Sequence, residues 1–260
     1  TASNNTVIGE GALKANVTIG NQIAIGYRAS YSHNGTSIEP NTTVGYQAGY
    51  SGTTTERLTA VGHQAAYSMT TAGWNSCYGY KALYSCTTAG QNTAIGALAG
   101  QYTTGGSNTA LGYKAYNGTS GNTTGSYNVV IGEKASENAT SMASSTIIGY
   151  RAGRDITSGE NNTIIGEHAG DSGTNDLTTG GNNTLIGHDA AASSATVSNE
   201  ITLGDTNITK FRIPGINFVI KDTTATDNYV LTVDANGEAG WEAAAGGVLT
   251  SDAQKNTIAG

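Results

Sequence analysis

The stretch QNTAIGALA at residues 91–99 returns, with small changes, along most of the chain. Its kernel is a small polar residue, a variable residue, an aliphatic residue and a glycine, with an alanine three residues after the glycine. From the aliphatic residue onward the copies read IGEGA (8–12), IGYRA (25–29), VGYQA (44–48), VGHQA (61–65), YGYKA (78–82), IGALA (95–99), LGYKA (111–115), IGEKA (131–135), IGYRA (148–152), IGEHA (165–169) and IGHDA (186–190), and a degenerate copy begins at Leu203. The key glycines are mostly 17 residues apart, with a few intervals of 16 to 21. A fixed period with variable insertions predicts an all-β solenoid of about twelve short rungs.

The residues before each glycine predict a short strand, as in Asn162–Ile165. Alternation puts the threonine and the last aliphatic residue on one face and the residue between them on the other. Both faces therefore carry apolar atoms, whereas a coil that stands alone needs only one apolar face. The second face requires another surface, and the simplest one is a further copy of the chain. We expect a homotrimer.

The residue immediately before the aliphatic position is small in the first half of the chain and larger in the second half. We predict that this column faces the trimer axis and that, towards the C-terminus, the axis is more loosely packed or the coils lie further apart. The proposed trimer-axis column consists of Ala24, Ala60, Ala94, Ala110, Val130, Ile147, Ile164 and Leu185, with Thr43 and Cys77 interleaved.

The remaining repeat positions predict the path of the coil. A glycine in every copy indicates a backbone turn that a Cβ atom would hinder. The alanine three residues later suits a tight inward corner. Segments such as Thr87–Gly90 and Thr178–Gly181 are typical of turns. Each unit is therefore predicted to run as strand, corner, short second strand and turn.

Composition and charge exclude several classes of function. The 260 residues include 37 glycines, and only 12% are charged, which is not the composition of a domain with a large-residue core. A net charge of −7 with 12 Lys and Arg provides no basic surface for nucleic acid. No apolar run approaches the length of a membrane span, so we expect no direct membrane insertion. Ranks of threonine suggest ice binding as a remote alternative, but a single rank alternates here with aliphatic residues.

Residues with reactive or metal-binding side chains form no recognisable constellation. Cys77 and Cys86 are the only cysteines, and free thiols are favoured over a disulfide, which stays open. His63, His168 and His188 fall in a variable outward column beside the repeat glycine, and His33 stands apart. We expect no enzyme activity, no catalytic residue, no cofactor and no metal site.

Tyrosine has the most informative distribution, since thirteen of fourteen precede residue 151. Tyrosines directly after the repeat glycine, and others four residues further on, predict ladders in which each ring packs on the next rung. The alternative is an aromatic strip for glycan binding, because a ring face suits the apolar face of a sugar. The candidate glycan-contact strip is Tyr27, Tyr46, Tyr80, Tyr113 and Tyr150.

The Asn-Thr-x-Ile-Gly-x-x-Ala copies resemble the head repeats of trimeric autotransporter adhesins of the YadA type, and more closely the NTAIG-type repeats of bacteriophage tail fibres. The resemblance covers residues 1–204. It implies a left-handed parallel β-roll, three chains around one axis and a role in surface attachment. The period and the Thr-Thr-Gly turns depart from the adhesin pattern and favour the phage fibre.

After the repeats, residues 205–245 predict a small β-rich junction module that locks the three chains in register. Ala235-Asn236-Gly237 is typical of a hairpin turn. The segment Tyr229–Ala243 resembles a junction module of marine phage fibres. Residues 246–260 form a linker and, from Lys255, the start of a further repeat, so we expect a slice of a longer fibre.

The sequence therefore predicts a structural and attachment protein, located outside the cell on a virion or a bacterial surface. Its expected partners are two copies of itself and a host cell-surface glycan or protein receptor. The alternatives are the head of a bacterial trimeric adhesin and, third, a glycan depolymerase, which would need paired carboxylates in a groove.

Overall fold

The computed structural model of the chain describes residues 3–35, 39–119, 123–173 and 175–212, together with the backbone of 229–233 and 239–243. Two compact units divide the chain after Thr209. The first unit contains the repeats. Within the residues described, no helix is long and apolar enough to cross a bilayer.

Twelve three-residue strands form one parallel sheet in which every strand pairs with the next along the chain. Equivalent repeat positions stay in register, as Thr93 pairs with Thr109 and Ile95 with Leu111. The prediction of an all-β parallel solenoid of about twelve rungs is thereby confirmed. The strands are β1 (Thr6–Ile8), β2 (Ile23–Ile25), β3 (Thr42–Val44), β4 (Thr59–Val61), β5 (Ser76–Tyr78), β6 (Thr93–Ile95), β7 (Thr109–Leu111), β8 (Val129–Ile131), β9 (Thr146–Ile148), β10 (Thr163–Ile165), β11 (Thr184–Ile186) and β12 (Ile201–Leu203).

The glycine after each strand turns the chain and lets the rungs stack. From Gly9 to Gly187 these glycines have φ between 122° and 140°, a region that side chains disfavour. A Cβ atom on Gly62 would lie 2.4 Å from the carbonyl oxygen of Gly79 in the next rung. The alanine three residues later is fully buried in ten rungs, from Ala29 to Ala190. Both sequence predictions for these positions are confirmed.

The predicted second strand of each unit is wrong. The other wall of the coil consists of turns, and among the described rungs it contributes only isolated bridges, such as Glu56 with Gly73. The reason is the backbone after the corner, where two residues of a rung adopt positive φ, as Lys81 (52°) and Leu83 (49°) do. Left-handed residues interrupt an extended strand, yet each rung still bonds the next, for example from Ser68 N–H to Tyr84 C=O.

The column predicted to face a trimer axis lies inside the single coil, so that prediction is wrong. Ala24, Ala60, Ala94, Val130, Ile147, Ile164 and Leu185 are 0% exposed in the isolated chain, and Ala110 is 2% exposed. A side chain that its own chain already covers has no surface left for a neighbour. In β2–β11 the middle residue of each strand points into the coil, and the first and third residues point out.

The change of size along this inner column has a local cause. Gly153 and Gly170 stand on the opposite wall from the larger residues: a Cβ atom on Gly153 would lie 3.3 Å from Ile147 Cδ1, and one on Gly170 would lie 3.4 Å from Leu185 Cδ1. In the rung of the small Ala110, the same wall carries the fully buried ring of Tyr116. In these rungs the interior is therefore filled by exchange of volume across the coil, and no looser axis is needed.

A ladder of side-chain amides, mostly buried asparagines, supports the start of most strands, and sequence reasoning did not identify it. The side-chain oxygen of Asn75 accepts the Asn92 N–H at 2.9 Å, and Asn92 accepts the Asn108 N–H in the same way. The amide nitrogens close the coil, as Asn162 donates to the Gly180 carbonyl. Three rungs carry other residues at this position, namely Leu58, Ser145 and Glu200. These bonds satisfy polar groups that would otherwise be buried without partners.

In the second unit two strands form an antiparallel hairpin, β13 (Tyr229–Val233) and β14 (Ala239–Ala243), with Leu231 opposite Trp241. This pairing agrees with the hairpin predicted from the sequence. The predicted turn at Ala235-Asn236-Gly237 lies outside the described residues. The assignment of a trimeric junction module stays a prediction.

Candidate functional site

The outer face of the twelve-stranded sheet carries a continuous row of apolar side chains. We call the third residues of β1–β12 the outer stripe. Several of its members are well exposed, including Ile8 (60%), Ile95 (40%) and Leu111 (41%), and others such as Val61 and Ile148 are half-buried. The first residues of the strands, mostly threonines, flank the stripe. At about 4.8 Å per rung, the stripe runs for about 55 Å along the coil.

The tyrosines form two ladders along the other wall, and the ladder prediction is confirmed for four rungs. In the first stack the ring centroids of Tyr27, Tyr46, His63 and Tyr80 follow one another at 5.2, 4.8 and 5.3 Å. In the second stack Tyr31, Tyr50, Tyr67 and Tyr84 follow at 5.2, 5.0 and 5.1 Å. The rung spacing alone sets these distances.

Cations bridge the two stacks at their ends. The Arg28 guanidinium lies 5.0 Å from the Tyr27 ring and 5.3 Å from the Tyr31 ring. The Lys81 ammonium lies 5.3 Å from Tyr80 and 5.1 Å from Tyr84. Each cation therefore ties one stack to the other through its interaction with the ring faces.

The structure brings together three of the five residues of the candidate glycan-contact strip. Tyr27, Tyr46 and Tyr80 belong to the first stack, whereas Ala97 separates Tyr113 from it and Tyr150 meets His168 edge-on at 5.3 Å. Tyr46 has a neighbour on both ring faces, so its faces are already used within the protein. Glycan contact at this strip stays a prediction.

The cysteines are free and buried, as favoured from the sequence. Burial raises the pKa of Cys77 far above its usual value and raises the pKa of Cys86 to about 11. The Cys86 thiol lies 3.3 Å from the Ala89 carbonyl oxygen. A thiol that keeps its proton is neither a nucleophile nor a ready metal ligand.

Among the described residues, two groups of carboxylate and histidine side chains bring possible ligand atoms close to one another. Asp171 lies among cations, since its carboxylate is 3.0 Å from Arg151 Nε and 3.4 Å from an Arg154 nitrogen. Burial raises the pKa of Asp171 against the attraction of these two arginines. Together with Asp155 it therefore belongs to an ion-pair network. The second group, His188, Asp189 and Asp205, lies at the last rungs and is largely open to solvent.

The histidines differ in environment more than the sequence suggested. His63 is a member of the first stack, and His168 Nδ1 lies 3.7 Å from a carboxylate oxygen of Asp171. His33 is 1% exposed, and burial lowers its pKa from the ordinary value of 6.5. His33 is thus a core residue.

Comparisons of the chain with protein-family models, with curated proteins and with solved structures find no match.

Proposed function

We propose that this chain is a segment of a homotrimeric extracellular fibre, of the phage tail-fibre type, that spaces or presents surfaces for attachment to a host cell. The observation that carries the proposal is the outer stripe. An apolar row about 55 Å long is far more exposed hydrophobic surface than a solitary rod needs, and such surfaces mark interfaces.

The regular spacing of the stripe specifies its partner. Ile95 and Leu111 are adjacent strand residues in register, and the same relation holds along all twelve strands. A partner that covers the stripe over its whole length must present side chains with the same rung spacing. A second copy of this coil, aligned in parallel, meets that requirement. The number three follows the resemblance of the repeats to trimeric adhesin heads and phage fibres.

The inner column cannot provide this interface, because it is covered within one chain. The apolar residues on the two faces of each strand therefore have separate roles. The middle residue fills the coil, and the third residue packs against the other chains around the axis. Closed cyclic symmetry then covers the stripe on every copy at once.

The assembly test is the mass of the protein in solution. Wild-type chain is expected at three times the 26.4 kDa of one chain in light scattering. Ile95→Lys places three ammonium groups around one axis and is expected to yield monomers. Leu98→Lys is the matched control, because lysine stands at the equivalent position in other rungs, as Lys81 and Lys114. A monomeric wild type, or an Ile95→Lys trimer, contradicts the proposal.

The same geometry suits the head of a bacterial trimeric adhesin, and flanking sequence separates the two origins. A heptad stalk and a C-terminal membrane anchor in the gene would indicate the adhesin. A tail-binding N-terminal domain would indicate the phage fibre. Incubation with host polysaccharide addresses the depolymerase alternative, which requires release of oligosaccharides.

A further inference from the structure

One column of the coil adopts the left-handed backbone region in nearly every rung. Its residues have φ between 51° and 65°, and most are Asn, Ser or Gln, of which Asn tolerates this region well. The column consists of Asn4, Asn21, Arg57, Trp74, Gln91, Ser107, Tyr127, Ser144, Asn161, Asn182 and Asn199. The exceptions are Arg57 (φ 51°) and two aromatic residues, Trp74 (φ 63°) and Tyr127 (φ 63°). A bulky side chain in this region costs about 1–3 kcal/mol, so the local backbone does not explain either aromatic residue.

Packing does not explain these two residues either. Trp74 is 59% exposed and Tyr127 is 71% exposed, so neither contributes much to the core. The Arg57 guanidinium lies 4.0 Å from the centre of the Trp74 ring, and Glu39 holds Arg57 through two hydrogen bonds of 2.8 and 3.0 Å. The indole is therefore fixed in orientation. Because Arg57 lies in the preceding rung, the opposite face of the ring is turned towards the following rung.

An open groove of about 430 Å³ lies on that side and includes both aromatic residues in its lining. Its floor consists of Gly73, Gly90 and Gly106, which stand immediately before the column residue in three successive rungs. Nowhere else in the sequence do three successive rungs carry glycine at this position. A Cβ atom would lie 2.6 Å from the Gly73 carbonyl oxygen at Gly90, and 2.9 Å from the Gly90 carbonyl oxygen at Gly106. The floor is therefore bare backbone.

The walls of the groove are polar and uncharged. Ser107 donates a hydrogen bond to the side-chain oxygen of Gln91 at 3.1 Å, which leaves the Gln91 amide hydrogens without a partner among the described residues. Ser126 Oγ accepts the Gly106 N–H at 3.1 Å. Among the residues that the structure describes, no aspartate, glutamate, lysine or arginine lines the groove. This chemistry disfavours an anionic ligand, which would require a cation.

We propose that the groove binds a neutral oligosaccharide that lies along the fibre axis. Trp74 and Tyr127 are three rungs apart, about 14 Å, and each offers a ring to the apolar face of a sugar unit. Amide and hydroxyl groups between them suit the sugar hydroxyls. The proposal specifies the ligand class and location of the attachment surface and rests on the proposed function. The groove differs from the first stack, in which the tyrosine rings already pack against neighbouring rings.

The test uses the full chain and replaces the two aromatic residues with the residue that the column prefers. Trp74→Asn and Tyr127→Asn relieve backbone strain, so folding and assembly should persist. Wild-type fibre is expected to be retained on an array of neutral oligosaccharides. Each substitution is expected to weaken retention about tenfold, as expected for the loss of one ring contact. Val17→Thr, which replaces an exposed apolar side chain outside the groove with the residue that other rungs carry at that position, as Thr70 and Thr87, is the control and should bind normally.

A second readout locates binding at the indole. Trp74 and Trp241 are the only tryptophans, so in a Trp241→Phe background the fluorescence reports on Trp74 alone. The neutral oligosaccharides that retain the fibre on the array are then added in solution, and we expect them to change the Trp74 emission saturably. The proposal is overturned if wild type binds no sugar on the array or if the double asparagine variant binds unchanged. It is also overturned if attachment to cells survives periodate oxidation of their glycans but not proteolysis. A wild-type chain that is monomeric in light scattering would instead contradict the proposed function.

Discussion

At the scale of single residues, two glycines distinguish the two energetic costs of an added side chain, which are backbone strain and a steric clash. Gly62 has φ 136°, and a Cβ atom there would meet the next rung at 2.4 Å. Gly173 also has positive φ (80°), but no atom of the described residues lies within 4 Å of a Cβ atom placed there. The first glycine is therefore required for both conformation and stacking, and the second for conformation alone.

We expect Gly62→Ala to lower the free energy of unfolding by about 3 kcal/mol, because backbone strain and a clash with a carbonyl oxygen add together. Gly173→Ala is expected to cost about 1 kcal/mol, from strain alone. Urea unfolding followed by circular dichroism measures both variants. Equal losses would mean that rung stacking does not restrict position 62.

His33 predicts a pH dependence of stability. Burial lowers its pKa below 6.5, and Asn41 Nδ2 lies 3.3 Å from His33 Nε2. The neutral form is therefore favoured in the folded state, so the contribution of His33 is fully present above the unfolded pKa of about 6.5. It is lost as the pH falls through the lower folded pKa.

Melting temperatures of the wild type and of His33→Gln, measured at pH about 7.5 and about 5, should test this dependence, because carboxylate titration affects both proteins equally. We expect His33→Gln to lose less stability than the wild type between the two pH values, since glutamine does not titrate. The same loss in both proteins would show that His33 is not the group responsible.

At the scale of elements, the asparagine ladder shows how a three-residue strand is held in place. Strands this short bury little by themselves, and the ladder adds hydrogen bonds from side chain to backbone at every rung that carries an amide. Asn162 accepts the Asn183 N–H and donates to the Gly180 carbonyl. Asn92 accepts the Asn108 N–H, but its own amide nitrogen is buried without a partner.

Replacing these two asparagines with leucine, which occurs naturally at Leu58, should have unequal effects. Asn162→Leu leaves two backbone groups buried and unpaired, for an expected loss of about 3 kcal/mol. Asn92→Leu leaves one such group and removes an unpaired donor, for an expected loss of about 1 kcal/mol. Chemical denaturation of the two variants compares them directly, and a larger loss for Asn92→Leu would be inconsistent with the ladder.

At the scale of the whole molecule, the coil is close to one-dimensional, because each rung contacts its neighbours through the same positions. The strands β4, β5 and β6 are related by a 17-residue period, with Gly62 and Gly79 equivalent. Removal of one complete period therefore restores every contact one rung further along.

We expect deletion of residues 62–78 to yield a folded chain with the β-sheet circular dichroism of the parent and a cooperative melting transition. Deletion of residues 62–70, about half a period, puts outward residues into the coil and should abolish that transition. Similar behaviour of the two deletions would contradict the independence of rungs.

The sequence by itself determined the repeat, the parallel stacking, the glycine turn and the tyrosine ladders, because each depends on residues that recur at a fixed period. It also indicated that each strand has two apolar faces. Only the tertiary structure decided which face lies inside. Gly153 and Gly170 on the opposite wall make room for Ile147, Ile164 and Leu185, and a contact across the coil leaves no periodic signal.

The groove beside Trp74 also required the structure. Trp74 and Tyr127 are 53 positions apart in the sequence and belong to a column otherwise rich in Asn and Ser. Stacking places them three rungs apart above a floor of glycines, and the left-handed backbone directs both rings outward. Exposure, backbone strain and adjacency are properties of the folded coil, which is why the periodic pattern that predicted the fold did not reveal the groove.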